Sequence, residues 1–284
     1  MKKIRIFSTR TDDYLKKFRI QAKLMNLKIE IYRYENFSFE DNKLTYIGRK
    51  KFPNFTKQDV VFFRRSAYEK IKQHFWLRLL ATLARDAGAK VLNEDFMVNF
   101  PLHSGKLFQA AYFAAYNIPH ISTYRLGRKI KTNHFPLLIK KRYTAFGRDS
   151  HLAKNSQELL AIKKKIKGLD SFVVQPFLDL GRDIRVVILD KKILGAVKRV
   201  VNVREDGHVG VKVTEKVKLR KAEIEIVKQV LNIFDLDFAG LDLFTSKTGK
   251  LWLGEINFFP NFESYIKISG ENIFKLILSM MKNS

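Results

Sequence analysis

Short apolar runs alternate with helical patterns along the first hundred residues. KIRIFS, LKIEIYRY, DVVFF and AKVLN have the β-branched and aromatic content of strands, whereas DDYLKKFRIQAKLM and HFWLRLLATLARDAG repeat apolar residues at helical spacing. Strands that alternate with helices are typical of a small α/β sheet covered by helices. No G-x-G-x-x-G follows the first strand, so the sequence predicts a scaffold or substrate-side domain here rather than a dinucleotide site.

A second set of elements begins at residue 101. LHSGKLFQAAYFAAYN reads as a helix with Ser104 as its N-cap, and SQELLAIKKKIK as a helix opened by Ser156. PLLIKKR and SFVVQPFL are predicted strands, with Pro176 favouring an edge of the sheet or a connection.

From Gly181 onward the pattern changes to long strands joined as hairpins. RDIRVVILD and KKILGAVKRVVNV meet at Asp190-Lys191-Lys192, and FAGLDLFTS and KLWLGEIN meet at Lys247-Thr248-Gly249. RKAEIEIVKQVLNIF and ENIFKLILSMMKN are amphipathic and predict helices. Antiparallel hairpins packed under helices indicate an α+β arrangement in this half of the chain.

Three polar side chains converge on the last hairpin. Glu255 and Asn257 are two residues apart in one strand and therefore project from the same face. Depending on where the turn is centred, Asp242 lies opposite Leu253 or directly opposite Glu255. Two carboxylates held together repel unless one is protonated or a cation lies between them, and oxygen ligands suit Mg²⁺ or Mn²⁺. The alternative is a solvent-facing hairpin whose acids are neutralised by lysines such as Lys247 or Lys250.

Composition narrows the classes of function. The chain has 284 residues, 46% of them hydrophobic, which is enough for a sizeable core, and it has no cysteine for disulfides or thiolate metal sites. No apolar run approaches the roughly 18 residues of a membrane span, so we expect no membrane association and a cytoplasmic location. Lys plus Arg is 54 and Asp plus Glu is 28, a net charge of +26 that favours nucleotides, polyanions or an acidic partner, unless it is an ordinary surface bias.

Five segments in order along the chain carry a resemblance to a known family. PLLIK, FVVQPFL, GRDIRVVILDKKILGAVKR, FAGLDLF and GEINFFPNFE resemble the ATP-grasp superfamily, closest to the RimK-like branch of ribosomal-protein S6 glutamate ligase and the lysine-biosynthesis carrier ligases. The resemblance covers residues 101–284. It implies an α/β N-terminal domain over 1–100, then a two-lobed α+β ATP-grasp fold with a small lid subdomain over 101–174 and a large subdomain with the metal site over 175–284.

The resemblance also implies roles for individual residues. Lys106 and Lys140 match the lysines that point at the nucleotide phosphates, and Asp183 matches the acid near the ribose hydroxyls. The remaining matches are the adenine-side hinge at Gln175, Pro176, Phe177 and Leu178, the basic pair Lys198 and Arg199, and the metal ligands Asp242, Glu255 and Asn257. In this assignment Lys198 helps to bind the nucleotide, and Arg199 stabilises charge at the transferring phosphoryl group.

The implied activity is ATP-dependent ligation of a carboxylate to an amine through an acyl phosphate, with ATP and two Mg²⁺ or Mn²⁺ ions as cofactors. Its partners are a carboxylate substrate and an amine acceptor, on an amino acid, a peptide or an acidic carrier protein. Two alternatives stay open: an ATP-grasp phosphotransferase, and an inactive ATP-grasp scaffold that binds nucleic acid through its basic surface, which the sequence does not favour.

Three segments depart from the family pattern. The lid loop KRYTAFGRDSH has a single glycine, Gly147, and VNVREDGHVG places Asn202, Gly207 and Gly210 only loosely where relatives have an Asn and a Gly pair. Phe258 and Phe259 stand where relatives have small residues. The two rings predict either a bulkier substrate wall or core packing.

Overall fold

The computed structural model describes residues 2–9, 12–40, 43–47, 52–64, 71–127, 135–143, 150–203 and 209–284. Within these ranges the side chains of 71–73, 201–203 and 209–211 are left undescribed. Gly147 of the lid loop and Gly207 lie outside the described residues.

A parallel sheet forms the N-terminal part, as its alternating pattern predicts. Its elements are β1 (Lys3–Ser8), α1 (Tyr14–Leu24), β2 (Ile29–Arg33), β3 (Phe37–Glu40), β4 (Lys43–Tyr46), β5 (Asp59–Phe63), α2 (Ile71–Asp86), β6 (Lys90–Val91) and α3 (Glu94–Val98). The strand order is β2-β1-β5-β6, and β3 with β4 forms a separate antiparallel pair. All five residues of β5 are buried, because helices and neighbouring segments cover both faces of this strand.

A small antiparallel sheet follows. Its elements are α4 (Lys106–Ala115), β7 (Tyr124–Arg125), β8 (Leu137–Lys141), β9 (Ser150–Ala153), α5 (Ser156–Lys165) and β10 (Phe172–Pro176), in strand order β7-β10-β8-β9. Pro176 pairs with Leu137 of β8 but lies beyond the two residues of β10 that pair with β7, so its missing N–H costs no bond on that side. The sheet and α5 have a small core of their own, which includes Leu126, Ile139 and Val174.

Two predicted helix caps are wrong. The N-cap of α4 is Gly105, because the Ser104 hydroxyl donates to the carbonyl of Pro101 (2.6 Å) inside a short 3-10 turn. The N-cap of α5 is Asn155, whose side-chain oxygen accepts from the Glu158 N–H (2.9 Å). Ser, Asn and Gly are all favourable N-cap residues, so in each case the residue before the predicted serine could act as the cap instead.

The third sheet supplies the long hairpins. Its elements are β11 (Leu180–Leu189), β12 (Lys192–Val203), β13 (Val209–Lys216), α6 (Lys221–Ile233), β14 (Phe238–Ser246), β15 (Leu251–Asn257), α7 (Glu263–Ser269) and α8 (Ile273–Asn283). The order is β13-β12-β11-β14-β15, antiparallel throughout. Both predicted turns are confirmed: Asp190 and Lys191 have φ of 52° and 58°, as a tight two-residue hairpin requires, and Gly249 has φ of 88°.

The first and third sheets share one hydrophobic core. Asn93 joins them directly, since its side chain donates to the carbonyl of Phe238 (2.7 Å) and accepts from the Phe238 N–H (3.2 Å). The Asn93 N–H donates to Asp237 (2.7 Å). These bonds hold the N-terminal sheet against the hairpin that carries Asp242.

Strand β10 spans Phe172–Pro176 and therefore crosses residue 174. The domain boundaries at 100 and 174 stay predictions. Among the helices formed by the described residues, none is long and apolar enough to cross a lipid bilayer.

Candidate active site

Asp242 and Glu255 lie directly opposite each other on β14 and β15. A bulge at Gly254 shifts the register between the pairs Asp242–Glu255 and Leu243–Leu253. Without this extra residue Asp242 would pair with Gly254, and Glu255 would project from the opposite face of the sheet. Asn257 completes the group, since its amide donates to the Asp242 carboxylate (3.3 Å). The predicted convergence of the three residues is therefore confirmed by the register.

Gly254 has a steric reason to be glycine. A Cβ at this position would lie 2.0 Å from Cε2 and 2.6 Å from Cδ2 of the Phe244 ring. The ring therefore covers the bulge, and only a residue without a side chain leaves room for it.

Two arginines neutralise Asp242. Arg185 grips the carboxylate through Nε (2.7 Å) and Nη2 (2.9 Å), and Arg199 Nη1 lies 2.7 Å from Oδ2. Burial by itself raises the pKa of Asp242, but Arg185 and then Arg199 lower it to about 2. The carboxylate is therefore ionised across the physiological range.

Arg199 joins two buried acids. Its Nε donates to Asp183 Oδ1 (2.7 Å), and its guanidinium carbon lies 5.7 Å from the centre of the Phe244 ring. Burial lowers the pKa of Arg199, but Asp242 and Asp183 raise it beyond its ordinary value. Burial, more than the neighbouring Asp242, raises the pKa of Asp183 to about 6, against the opposing effect of Arg199. Asp183 thus faces Arg199 in this structure, and its assignment to the ribose stays a prediction.

Helix α4 brings Lys106 to the hairpin. Lys106 is the first residue of α4, and its ammonium lies 3.6 Å from Glu255 Oε1. One turn later the Gln109 side chain accepts from the Ile256 N–H (2.9 Å) and donates to the Ile256 carbonyl (3.0 Å). These paired bonds fix the N-terminal end of α4, the end of a helix that favours anions, against the end of β15.

Lys140 reaches the same centre from the small sheet. Its ammonium donates to Gln175 (3.1 Å), whose amide donates in turn to the hydroxyl of Thr123 (2.8 Å). Burial and then the charge of Lys106 lower the pKa of Lys140 to about 8, while Glu255 and Asp242 oppose the shift. The two lysines are therefore close enough to repel each other, and a bound polyanion would relieve this repulsion.

The hinge at residues 175–178 continues from β10. The Gln175 side chain is hydrogen-bonded to both Lys140 and Thr123, and the Phe177 N–H donates to the carbonyl of Pro136 (2.9 Å). Pro176 has no N–H, so the N–H of Leu178 is the next backbone donor along the hinge. Adenine recognition by this segment stays a prediction.

Lys198 is not brought together with the other predicted residues. It precedes Arg199 in β12 and therefore points to the opposite face of the sheet. Its ammonium pairs with Glu215 (3.0 Å) at the surface.

Phe258 and Phe259 pack in the core. The Phe258 ring stacks on Phe96 with centroids 3.5 Å apart, and Phe258 is 5% exposed. Phe259 meets Phe96 and Phe100 edge-on. Of the two alternatives for these rings, core packing between the N-terminal part and the last hairpin is the one the structure supports.

The donor set fits a hard divalent cation. Two carboxylates and a carboxamide supply oxygen ligands, and such ions take one or two carboxylates with phosphate oxygens and water completing the shell. Asp242 Oδ1 accepts from Arg185 alone among the described residues, which leaves it a lone pair. The Asn257 amide presents its NH₂ to Asp242 and offers its oxygen after a half-turn. In the described part of the chain no group of three or more His, Cys, Asp or Glu residues could hold a metal ion, so a three-ligand set at this site would have to include Asn257.

Three residues of the site were not identified from the sequence: Arg185, Gln109 and Thr123. Arg185 could have been identified from the sequence, because it follows Asp183 by two residues in a predicted strand and therefore projects from the same face. Gln109 and Thr123 had no local signal, since each acts through a partner distant in the chain.

Lysines of α4 and β8 lie near the acids of β14 and β15, an arrangement that fits an ATP-grasp protein. The sequence profile of the RimK-like ATP-grasp domain matches residues 121–281, more than half of the chain. The chain belongs to this family.

Similar proteins agree with this assignment. A "Probable alpha-L-glutamate ligase" of Haemophilus influenzae is 30% identical over 171 residues, which are 58% of this chain and 52% of that protein. The corresponding protein of Pasteurella multocida is 31% identical over 144 residues, 49% of this chain and 45% of its own length. The chain thus spans about half the length of the curated relatives it matches.

Solved structures extend the likeness to the whole chain. The ATP-grasp ligase PsnB, complexed with a phosphomimetic variant of its minimal precursor, Mg and ADP, superposes with a TM-score of 0.71 at 14% identity over 99% of this chain and 98% of that chain. D-cycloserine synthetase DcsG gives a TM-score of 0.69 at 14% identity over 99% of each chain. At this identity the likeness shows a common fold, and the predicted ATP-grasp fold is confirmed.

Proposed function

We propose that the protein is an ATP- and divalent-metal-dependent ligase that joins a carboxylate to an amine through an acyl phosphate. The observation that carries the proposal is the meeting of Lys106 and Lys140 with Asp242 and Glu255. Two cations beside two oxygen ligands match what a nucleotide with its metal requires at the terminal phosphates.

The reaction has two steps. A substrate carboxylate oxygen attacks the γ-phosphorus of ATP, the bond from that phosphorus to the β,γ-bridging oxygen breaks, and ADP leaves. The amine nitrogen then attacks the acyl carbon, and the tetrahedral intermediate expels phosphate as the amine loses a proton. When bound, Mg²⁺ or Mn²⁺, one or two ions, neutralises charge on the terminal phosphates.

This chain's own residues supply positioning and charge. Lys106 and Lys140 hold the phosphate oxygens, with Gln175 and Thr123 fixing the Lys140 ammonium. Asp242, Glu255 and Asn257 are the proposed metal ligands. Arg199, held by Asp183 and Asp242, is the residue proposed to stabilise charge that builds up on the transferring phosphoryl group. No side-chain nucleophile is needed, since phosphoryl transfer depends mainly on such positioning.

Relatives guide the choice of substrate. The relatives of Haemophilus influenzae and Pasteurella multocida are each named "Probable alpha-L-glutamate ligase", and PsnB was solved with precursor peptides. We therefore propose an amino acid and a peptide or protein as the two substrates. An acidic carrier or peptide suits the net charge of +26, which also speeds encounter with such a partner. A cytoplasmic location belongs to the same proposal.

The test is ADP release from Mg-ATP with glutamate and candidate acidic peptides, each alone and then together. We expect ADP to form in stoichiometric amounts with a new amide, seen as a mass increase of the peptide. ADP formation with a stable phosphorylated product and no amide would overturn the ligase proposal in favour of a phosphotransferase. Absence of thermal stabilisation by Mg-ATP would overturn both.

A further inference from the structure

The two lysines proposed to bind phosphate come from parts of the chain that pack separately. Lys140 lies in β8, whose small sheet has a core of its own around Ile139 and Val174. Lys106 begins α4, which contributes Phe113 to the core of the first and third sheets. The spacing of the two ammonium groups therefore depends on how the end of β8 meets the start of α4.

Tyr143 packs against Gly105 at this junction. Tyr143 lies two residues beyond β8, and Gly105 is the N-cap of α4, directly before Lys106. A Cβ at Gly105 would lie 2.8 Å from Cε1 of the Tyr143 ring and 3.2 Å from its hydroxyl oxygen. The backbone of Gly105, with φ of −76° and ψ of 126°, is one that any residue can adopt. The close approach of the ring is therefore what requires a residue without a side chain here.

A backbone hydrogen bond reinforces this contact. The carbonyl of Arg142 accepts from the Lys106 N–H (3.3 Å), and the Arg142 N–H donates to the carbonyl of Ser171 (2.6 Å), directly before β10. The backbone of Arg142 is thus bonded both to α4 and to the small sheet. Its guanidinium carbon lies 5.3 Å from the centre of the Tyr143 ring, a distance at which a cation and a ring attract each other.

The two lysines repel each other across the same junction. Burial and then the charge of Lys106 lower the pKa of Lys140, whereas the acids of the last hairpin oppose the shift. Glu255 lies 3.6 Å from the Lys106 ammonium and offsets part of the repulsion. The contact between Tyr143 and Gly105 resists the remainder, because it keeps the end of β8 on the start of α4.

We propose that Tyr143 is a positioning residue, which holds Lys106 and Lys140 at the spacing that one bound nucleotide requires. This inference rests on the proposed function. Tyr143 acts through the first residue of α4, by way of Gly105, and the ammonium groups of the two lysines bind the phosphates. A ring that served the fold alone would contribute to stability and leave the nucleotide affinity of the folded protein unchanged.

Isothermal titration calorimetry with Mg²⁺ and a non-hydrolysable ATP analogue tests the proposal. We expect Tyr143→Ala to weaken binding roughly tenfold, because the two lysines no longer meet the phosphates together. Tyr143→Phe keeps the ring and should bind within about twofold of the wild type. Tyr116→Ala is the matched control, since Tyr116 is 44% exposed at the other end of α4, and it should leave the affinity unchanged.

A double-mutant cycle shows whether the ring acts through Lys106. Lys106→Met should weaken nucleotide binding by itself. Adding Tyr143→Ala should then cost little more, because the side chain that the ring positions is already gone. Losses that add in full would overturn the proposal, since the ring would then act independently of Lys106.

Gly105→Ala displaces the ring from the other side of the contact and should also weaken binding, so it decides the question if Tyr143→Ala folds poorly. Wild-type affinity in either folded variant would overturn the proposal. A lower melting temperature of Tyr143→Ala with wild-type affinity would assign the ring to the fold alone. If the wild type itself does not bind the nucleotide, the proposed function falls; if it binds and Tyr143→Ala binds equally, only the positioning role falls.

Discussion

The Lys106 ammonium lies 3.6 Å from the Glu255 carboxylate, so the proposed phosphate-binding cation and the proposed metal ligand neutralise each other across the α4–β15 contact. In the proposed function, binding of a nucleotide with its metal would replace this ion pair by two stronger ones, from the ammonium to phosphate and from the carboxylate to the metal. The pair therefore holds both side chains in place and keeps either charge from being left alone in a half-buried site.

Glu255→Gln is expected to abolish Mg-dependent ADP formation, because it removes one of the two negative charges proposed to hold the cation, and a neutral amide oxygen binds a divalent cation more weakly than a carboxylate. Stability should change little, since the Glu255 side chain is 26% exposed and isosteric with glutamine. Malachite-green or coupled ADP assays and a thermal melt check the two effects. Glu215→Gln, which removes a surface ion pair with Lys198, is the control and should stay active. Retained activity in Glu255→Gln would contradict a role of Glu255 in metal binding and favour the alternative that it is only a surface charge.

Nucleotide affinity is expected to fall above pH 8. Burial and Lys106 lower the pKa of Lys140 from 10.5 to about 8, so the folded protein loses this positive charge as pH rises through 8, while the unfolded chain keeps it to about 10.5. Each further pH unit should then weaken nucleotide binding up to about tenfold.

Calorimetry in two buffers of different ionisation enthalpy should show proton uptake on nucleotide binding near pH 8. Lys140→Arg keeps its charge and should flatten the pH profile. A wild-type profile that is flat between pH 7 and 9 would be evidence against phosphate contact by Lys140.

Asp242→Asn is expected to destabilise the fold by roughly 3–5 kcal/mol, because it leaves Arg185 and Arg199 without their shared counter-ion. Urea unfolding measures the loss. The difference from wild type should be full above pH 4 and vanish as pH falls through about 2, since the arginines hold the pKa of Asp242 near that value. A variant as stable as wild type would show that the arginines do not depend on Asp242. For this reason Glu255, not Asp242, is the informative position for testing the metal.

Gly254→Ala is expected to cost about 1–3 kcal/mol of stability, as overpacking does, because the new Cβ meets the Phe244 ring at 2.0 Å. Removing the bulge would also turn Glu255 away from Asp242, so ADP formation should fall with stability. Gly127→Ala is the matched control, since a Cβ there meets nothing within 4 Å. Thermal melts should give a lower melting temperature for Gly254→Ala than for Gly127→Ala. Equal melting temperatures would contradict the steric explanation of the bulge.

Local pattern was sufficient for the elements and for much of the site. Alternation of apolar residues predicted the strands, the turns at Asp190-Lys191-Lys192 and Lys247-Thr248-Gly249, and the shared face of Glu255 and Asn257. It left the pairing of Asp242 open between Leu253 and Glu255, because register depends on a bulge that needs the Phe244 ring to be in place. The two helix caps were missed because neighbouring residues have nearly equal capping ability.

The sequence by itself determined the class of fold, the order of its parts and the acids of the last hairpin, since these follow from periodicities of two and 3.6 residues and from short segments read along the chain. Only the tertiary structure decided that Arg185 and Arg199 neutralise Asp242, that Lys106 meets Glu255, and that Phe258 and Phe259 pack against Phe96. The physical reason is that each of these contacts joins residues far apart in the chain. The charge pairs around Asp242 depend on the strand order and register of the third sheet, and the ring packing depends on how the parts of the chain fold against one another. No local pattern records either.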